Sequence, residues 1–194
     1  MGCCLEQKFL VAERFKHSLL YMFEGALFLT LLAKITVTLP FTPVPITFQT
    51  LGIYCLGVLT SPIVAVGSVL TYFLGGLVLP VFCNSYWGIA SFFGPTAGYL
   101  YAFPLAAACI SSLHHRYGNS NFKLAIILCI GASIILVCGT LGLACYFYLT
   151  GATPTLSIAQ GLKLGALPFI PGELIKILLV IQGKHVVGFF KKAG

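Results

Sequence analysis

The uncharged segments of this chain constrain its fold more than any other feature. Residues 35–115 and 124–162 contain no Asp, Glu, Lys or Arg. Charged residues make up 8% of the sequence and hydrophobic residues 59%, whereas a soluble domain is about 25% charged. A membrane-spanning helix needs about 20 apolar residues, so each segment has room for more than one span. The sequence therefore predicts an integral membrane protein.

Six apolar segments predict an all-α fold, a single bundle of six transmembrane helices. The predicted spans are residues 19–36, 47–60, 63–79, 95–113, 123–149 and 172–190. Residues 1–18 are predicted to form a cytoplasmic amino-terminal segment and residues 19–194 one membrane domain. Prolines at 40, 43 and 45 stiffen the chain, which predicts a rigid outer loop between the first two helices. Residues 150–171 are predicted to form another outer loop.

The basic residues predict the orientation of the bundle. With both termini in the cytoplasm, most Lys and Arg side chains lie on the cytoplasmic side and Lys163 lies in an outer loop, which follows the usual bias. We therefore expect a multi-pass protein of the cell membrane, surrounded by lipid. The net charge is +7, but the basic residues do not cluster with aromatic residues, so no nucleic-acid partner is expected.

No sequence pattern here is typical of an enzyme, a cofactor site or a metal site. Most of the eight cysteines lie in apolar runs, where free Cys behaves as a small hydrophobic residue. His114 and His115 are adjacent but have no acidic residue nearby, so we interpret them as interfacial polar residues. We predict no catalysis, no cofactor and no metal. Because a phosphate-binding loop is also missing, active transport would need energy from another subunit or from a gradient.

One pair of charged residues stands out within the apolar sequence. After Glu24 the only acidic residue is Glu173, three positions before Lys176. A charge at the bilayer centre costs roughly 2.5–3.5 kcal/mol, so such residues indicate function. Pro171 favours a helix start, and side chains three residues apart share one helix face. This predicts a site for a small polar ligand. The alternative is an ion pair that only braces the bundle.

Four sequence blocks occur in an order that is typical of one family. They are residues 39–50 (LPFTPVPITFQT), 76–82 (GLVLPVF), 93–100 (FGPTAGYL) and 167–176 (LPFIPGELIK). In these blocks the chain closely resembles the BioY family, the biotin-specific substrate-binding subunits of energy-coupling-factor (ECF) transporters. The resemblance implies a six-helix membrane domain that binds biotin from outside. It also implies a transmembrane coupling subunit and two cytoplasmic ATPases as partners.

The resemblance also suggests residues for the binding site. The family's acid and lysine at the start of the sixth helix correspond to Glu173 and Lys176, although the family usually has Asp at the first position. A polar residue after the second block corresponds to Asn84. Aromatic residues expected to surround the apolar part of the ligand are Phe41, Tyr86 and Trp87. The alternative for these three is an aromatic belt at the membrane interface.

The first helix is expected to contact the coupling subunit. The small residues that this transporter class uses there correspond to Ala26 and Thr30. Glu24 and Lys34 are interpreted as helix-end residues that reach the interface. Two other functions stay open on the sequence: a binding subunit for another small vitamin, and a membrane interaction protein without a ligand.

Overall fold

The computed structural model describes the backbone of residues 2–83, 87–118 and 120–193, and the side chains of residues 16–83, 87–118 and 120–184. This part of the chain contains seven α-helices, one two-stranded sheet and a short 3-10 helix, Ile89–Phe92. The helices are α1 (Gly2–Lys34), α2 (Gln49–Leu59), α3 (Pro62–Val78), α4 (Ala97–Tyr117), α5 (Asn121–Leu149), α6 (Pro154–Gly165) and α7 (Ile170–Ala193). The strands are β1 (Thr36–Val37) and β2 (Ile46–Thr47).

Local sequence signals explain where several helices begin. Pro62 and Pro154 occupy the first turn of α3 and α6, where the missing N–H of proline leaves no hydrogen bond unmade. The Ser120 hydroxyl accepts a hydrogen bond from the Lys123 backbone N–H at 3.3 Å and so caps α5. Pro62, Ser120 and Pro154 therefore mark helix starts in apolar sequence that would otherwise predict fewer and longer helices.

The sheet holds the two ends of the proline-rich segment together. Its strands pair antiparallel, with Thr36 opposite Thr47 and Val37 opposite Ile46. Residues 38–45 form the connection between them. The Thr42 hydroxyl donates a hydrogen bond to the Leu164 carbonyl of α6 at 2.9 Å. The proline-rich segment is therefore fixed at both ends and against α6.

The structure corrects the interpretation of residues 150–171 as an outer loop. Twelve of these residues form α6, and α7 begins at Ile170. At Gly161, α6 approaches α5 so closely that a Cβ atom would lie 3.0 Å from the Thr140 carbonyl oxygen. The sequence prediction was wrong here because α6 is too short for a span and packs through small residues. The described residues contain seven α-helices and only four residues of strand, so the fold is mostly helical as predicted.

Helix length alone supports fewer spans than the sequence predicted. Among the described residues, α5 is the one helix that is long and apolar enough to cross a membrane by itself. Helix α6 and residues 170–184 of α7 could together form a second span, bent by 41° at the break. Helices α2 and α3 are apolar but have 11 and 17 residues. The arrangement of six spans stays a prediction.

Helices α4 and α5 meet through three glycines, Gly98, Gly139 and Gly142, which we call the glycine seam. A Cβ atom on Gly98 would lie 2.5 Å from the Cys138 carbonyl oxygen and 2.8 Å from the Gly142 Cα. The Tyr99 ring covers Gly139, where a Cβ atom would lie 2.1 Å from the ring. Any larger side chain in the seam would push the two helices apart. The seam therefore sets the position of Tyr99.

Candidate substrate-binding site

A cavity of about 310 Å³ lies where the amino-terminal ends of α2, α4 and α7 meet. The proline-rich segment, the α3–α4 connection and the middle of α5 complete its wall. Most lining side chains are apolar or aromatic, and a few are polar. The principal apolar and aromatic lining residues are Pro43, Val44, Pro45, Phe82, Trp87, Tyr99, Leu100, Phe103, Ile135 and Phe169.

Glu173 and Lys176 form a buried ion pair on the wall of this cavity. Each residue is 5% exposed, and the Lys176 Nζ lies 2.8 Å from the Glu173 Oε1. The Thr50 hydroxyl donates to the same Oε1 at 2.8 Å and accepts from the Lys176 Nζ at 2.7 Å. The Tyr54 hydroxyl donates to the Glu173 Oε2. Four side chains from α2 and α7 thus form one polar network.

The network retains unused hydrogen-bonding capacity. An ionised carboxylate has about four acceptor positions and an ammonium has three donor hydrogens. In the described residues Glu173 accepts three hydrogen bonds and Lys176 donates two. One acceptor position of Glu173 and one donor hydrogen of Lys176 are therefore without a partner among the described residues.

The same hydrogen bonds also join α7 to α2. Removing charges from water is costly unless they are paired and hydrogen-bonded. Glu173 and Lys176 pair with each other on α7, and Thr50 and Tyr54 supply the hydrogen bonds from α2. The geometry therefore combines the two interpretations that the sequence left open, a ligand site and a brace. The pair borders the cavity and at the same time connects two helices.

Further polar residues border the cavity, among them Gln49 and Ser91. The Gln49 side-chain amide donates to the Tyr72 hydroxyl at 2.6 Å and its carbonyl accepts from the Thr47 hydroxyl at 3.1 Å. The Ser91 hydroxyl oxygen is buried and has no hydrogen-bond partner within the described residues. A buried hydroxyl without a partner is unfavourable. Ser91 is thus available to a polar group of a bound molecule.

The sequence matches the BioY family over residues 7–187. The chain belongs to the BioY family. The probable biotin transporter BioY of Rickettsia prowazekii is 30% identical to it over 152 residues, which cover 78% of this chain and 74% of that protein. Biotin transporter BioY2 of Lactococcus lactis subsp. cremoris is 33% identical over 165 residues, which cover 84% of this chain and 86% of that protein.

The fold of this BioY-family chain is similar to that of a solved membrane-transport protein. The crystal structure of an S-component for biotin from an ECF-type ABC transporter has a TM-score of 0.76 and a sequence identity of 26%. The similarity covers 94% of both chains. The predicted family is therefore confirmed, and so is the mostly helical fold.

In this BioY-family chain, some of the predicted site residues line the cavity and others do not. Glu173, Lys176 and Trp87 line the cavity, and Trp87 is 62% exposed. Phe41 is 58% exposed and is not among the lining residues. The predicted residues Asn84 and Tyr86 lie outside the described residues.

The residues predicted to contact a partner pack within the chain. Ala26 is 7% exposed and belongs to the core of the bundle. The hydroxyl of the partly buried Thr30 donates to the Ala26 carbonyl at 2.9 Å. Neighbouring Gly25 faces α3, where a Cβ atom would lie 2.2 Å from the Ser68 hydroxyl oxygen. Ala26 is therefore used inside the fold, and the structure leaves it little surface for another protein.

Sequence reasoning missed the α2 half of the polar network. Thr50 and Tyr54 are four residues apart, so they share one face of α2. Polar groups on one face of an apolar helix are a signal for an intramembrane site. That signal was present in the sequence, but only the fold shows that this face meets Glu173.

Proposed function

We propose that this chain is the membrane-embedded biotin-binding S component of an ECF-type ABC transporter. The observation that carries the proposal is the buried Glu173–Lys176 pair on the wall of an otherwise apolar cavity, in a chain of the BioY family. The names of its relatives and the similar crystal structure support the same substrate. As a transporter subunit the chain is not an enzyme.

The chemistry of biotin suits this cavity. Its ureido ring offers two N–H donors and a carbonyl, and its fused rings are apolar. We place the ureido group beside Glu173 and Lys176, where one acceptor position and one donor hydrogen are unused. The fused rings would pack against the aromatic and apolar lining, as in most small-molecule sites. Ser91 offers one further polar contact.

The glutamate at position 173 fits the proposed site. It replaces the aspartate that is usual in the family and has one more methylene group. Hydrogen bonds from Thr50 and Tyr54 hold its carboxylate against α2. Since both oxygens have hydrogen-bond partners on α2, the longer side chain has a defined position.

The membrane arrangement and the partners belong to the same proposal. We propose six spans, cytoplasmic termini and a site that opens outwards, with a transmembrane coupling subunit and cytoplasmic ATPases as partners. Asn84 and Tyr86 stay proposed ligand contacts on the sequence, together with the cavity-lining Trp87. Phe41 is left out because it does not line the cavity.

Biotin titration of the purified protein in detergent tests the proposal. The variant Glu173→Gln/Lys176→Met removes both charges and leaves neither unpaired. A hydrogen bond to a charged group contributes roughly 1.5–3 kcal/mol, so we expect at least a tenfold weaker affinity. Glu24→Gln removes a carboxylate that is not among the cavity-lining residues and serves as the control.

Two outcomes would contradict this assignment. Wild-type protein that is folded but binds no biotin would exclude the function. Unchanged affinity in the double variant would exclude the site. Competition by other vitamins, measured against labelled biotin, distinguishes a biotin site from a site for a different vitamin.

A further inference from the structure

Lys34 forms hydrogen bonds that play no part in the ligand contacts proposed above. It is the last residue of α1, and its ammonium donates hydrogen bonds to two backbone carbonyls of the α3–α4 connection. One is the Pro80 carbonyl, and the other is the Phe82 carbonyl at 3.1 Å. The sequence suggested that Lys34 only reaches the membrane interface. The structure instead gives it two partners more than 40 positions away in the sequence.

The segment that Lys34 binds forms part of the cavity wall. Phe82 and Cys83 both line the cavity and are 2% and 7% exposed. The Phe82 ring makes edge-to-face contacts with Tyr72 at 5.2 Å and with Phe92 at 5.7 Å between ring centroids. These contacts hold the side chain, whereas Lys34 holds the backbone on either side of residue 81.

Lys34 itself is not among the cavity-lining residues. A charged donor forms stronger hydrogen bonds to carbonyls than a neutral donor does. Residues 79–82 lie outside the regular helices and strands. The Tyr72 hydroxyl donates a hydrogen bond to the Val81 carbonyl at 3.4 Å. Lys34 adds a charged donor to the carbonyls of the residues on either side, Pro80 and Phe82.

We infer that Lys34 is a positioning residue, which holds residues 80–83 in place as a wall of the cavity through its two carbonyl contacts. Its loss would let this wall move away from the cavity while the helices stay packed. The Cys83 thiol would then become accessible. If the chain binds biotin as proposed above, the bound molecule would also leave faster.

Cys83 provides a direct measurement that needs no ligand. Labelling by N-ethylmaleimide in detergent can be followed at each cysteine by mass spectrometry of the peptides. In Lys34→Met we expect Cys83 to react at least about tenfold faster, because both charge-assisted hydrogen bonds that oppose opening of the segment are lost. Partly buried Cys55 and Cys109 are the internal reference and are expected to keep their rates.

The direction of the change in Cys83 labelling rate distinguishes a positioning role of Lys34 from an effect of its charge on the thiol. Burial raises the pKa of the Cys83 thiol, and the nearby Lys34 charge partly offsets that rise. Since maleimide reacts with the thiolate, losing the charge alone would slow the labelling. Faster labelling therefore reports movement of the wall, and slower or unchanged labelling would overturn the inference.

Three variants complete the test. Lys34→Arg keeps a charged donor and is expected to label at the wild-type rate. Lys163→Met removes an exposed lysine of α6 that does not line the cavity and is expected to change nothing. If Lys34→Met unfolds and all thiols react faster, Lys34→Gln decides. Selective acceleration at Cys83 in that variant supports the inference, and an unchanged rate overturns it.

Biotin dissociation is measured separately on the same variants. If the wild type binds biotin, we expect faster dissociation from Lys34→Met and a wild-type rate from Lys34→Arg. If it binds none, the proposed function fails while the thiol result still tests Lys34.

Discussion

The cavity and the glycine seam join helices in opposite ways. At the cavity, α2 and α7 are connected by long polar side chains around the Glu173–Lys176 pair. At the seam, α4 and α5 meet backbone to backbone at Gly98 and Gly142. Lipid tails are as apolar as the helix surfaces, so helices associate through close packing or through polar contacts. In this chain, close packing joins the scaffold helices α4 and α5, and polar contacts join α2 and α7 at the wall of the cavity.

The two regions should respond differently to substitution. Polar contacts at the cavity have unused capacity that a ligand could take, so changes there should affect both stability and binding. The seam glycines have no side chain to offer a ligand and leave no space, so changes there should act first on stability and on binding only by moving Tyr99. Three further predictions test this comparison.

The largest effect is expected when one charge of the buried pair is removed. Lys176→Met leaves Glu173 buried without its counter-ion, which typically costs about 3–5 kcal/mol of stability. In Glu173→Gln/Lys176→Met neither charge is left unpaired, so most of that loss should be recovered. Denaturant unfolding in detergent measures both values. A single variant as stable as the double variant would show that the pair does not brace α2 and α7.

A smaller effect is expected in the glycine seam. Gly98→Ala places a Cβ atom 2.5 Å from a backbone carbonyl oxygen, and such overpacking costs about 1–3 kcal/mol. Gly75→Ala is the matched control, because a Cβ atom there would meet nothing within 4 Å. We expect a lower melting temperature in Gly98→Ala alone, with a smaller loss of biotin affinity than in Glu173→Gln/Lys176→Met. Equal melting temperatures in the two variants would contradict close packing at the seam.

The smallest effect is expected at Tyr99, which belongs to both regions. Its ring packs on Gly139 of the seam and lines the cavity beside Phe169. Its hydroxyl donates to the Gly165 carbonyl at the end of α6. Tyr99→Phe keeps the ring and loses this bond, so we expect a loss of about 0.5–1.5 kcal/mol. A large loss of affinity with unchanged stability would instead place the hydroxyl in contact with the ligand.

The sequence predicted most of the long apolar helices and the charged pair, but not their surroundings. The α5 span was predicted almost to its ends because residues 124–149 form one long uncharged, apolar run. Helix α6 was missed because its 12 residues are too few for a membrane span, although Pro154 favours a helix start there. It is positioned by contact with α5 at Gly161. Phe41 was expected near the ligand, yet it is exposed and is not among the cavity-lining residues.

By itself the sequence determined the apolar character of the chain, its family and the spacing that puts Glu173 and Lys176 on one helix face. These follow from composition and from the geometry of a single helix. Only the tertiary structure decided that Thr50 and Tyr54 complete the network and that Lys34 reaches the Pro80 and Phe82 carbonyls. Contacts between distant segments depend on how whole helices pack, and no local pattern encodes which faces will meet.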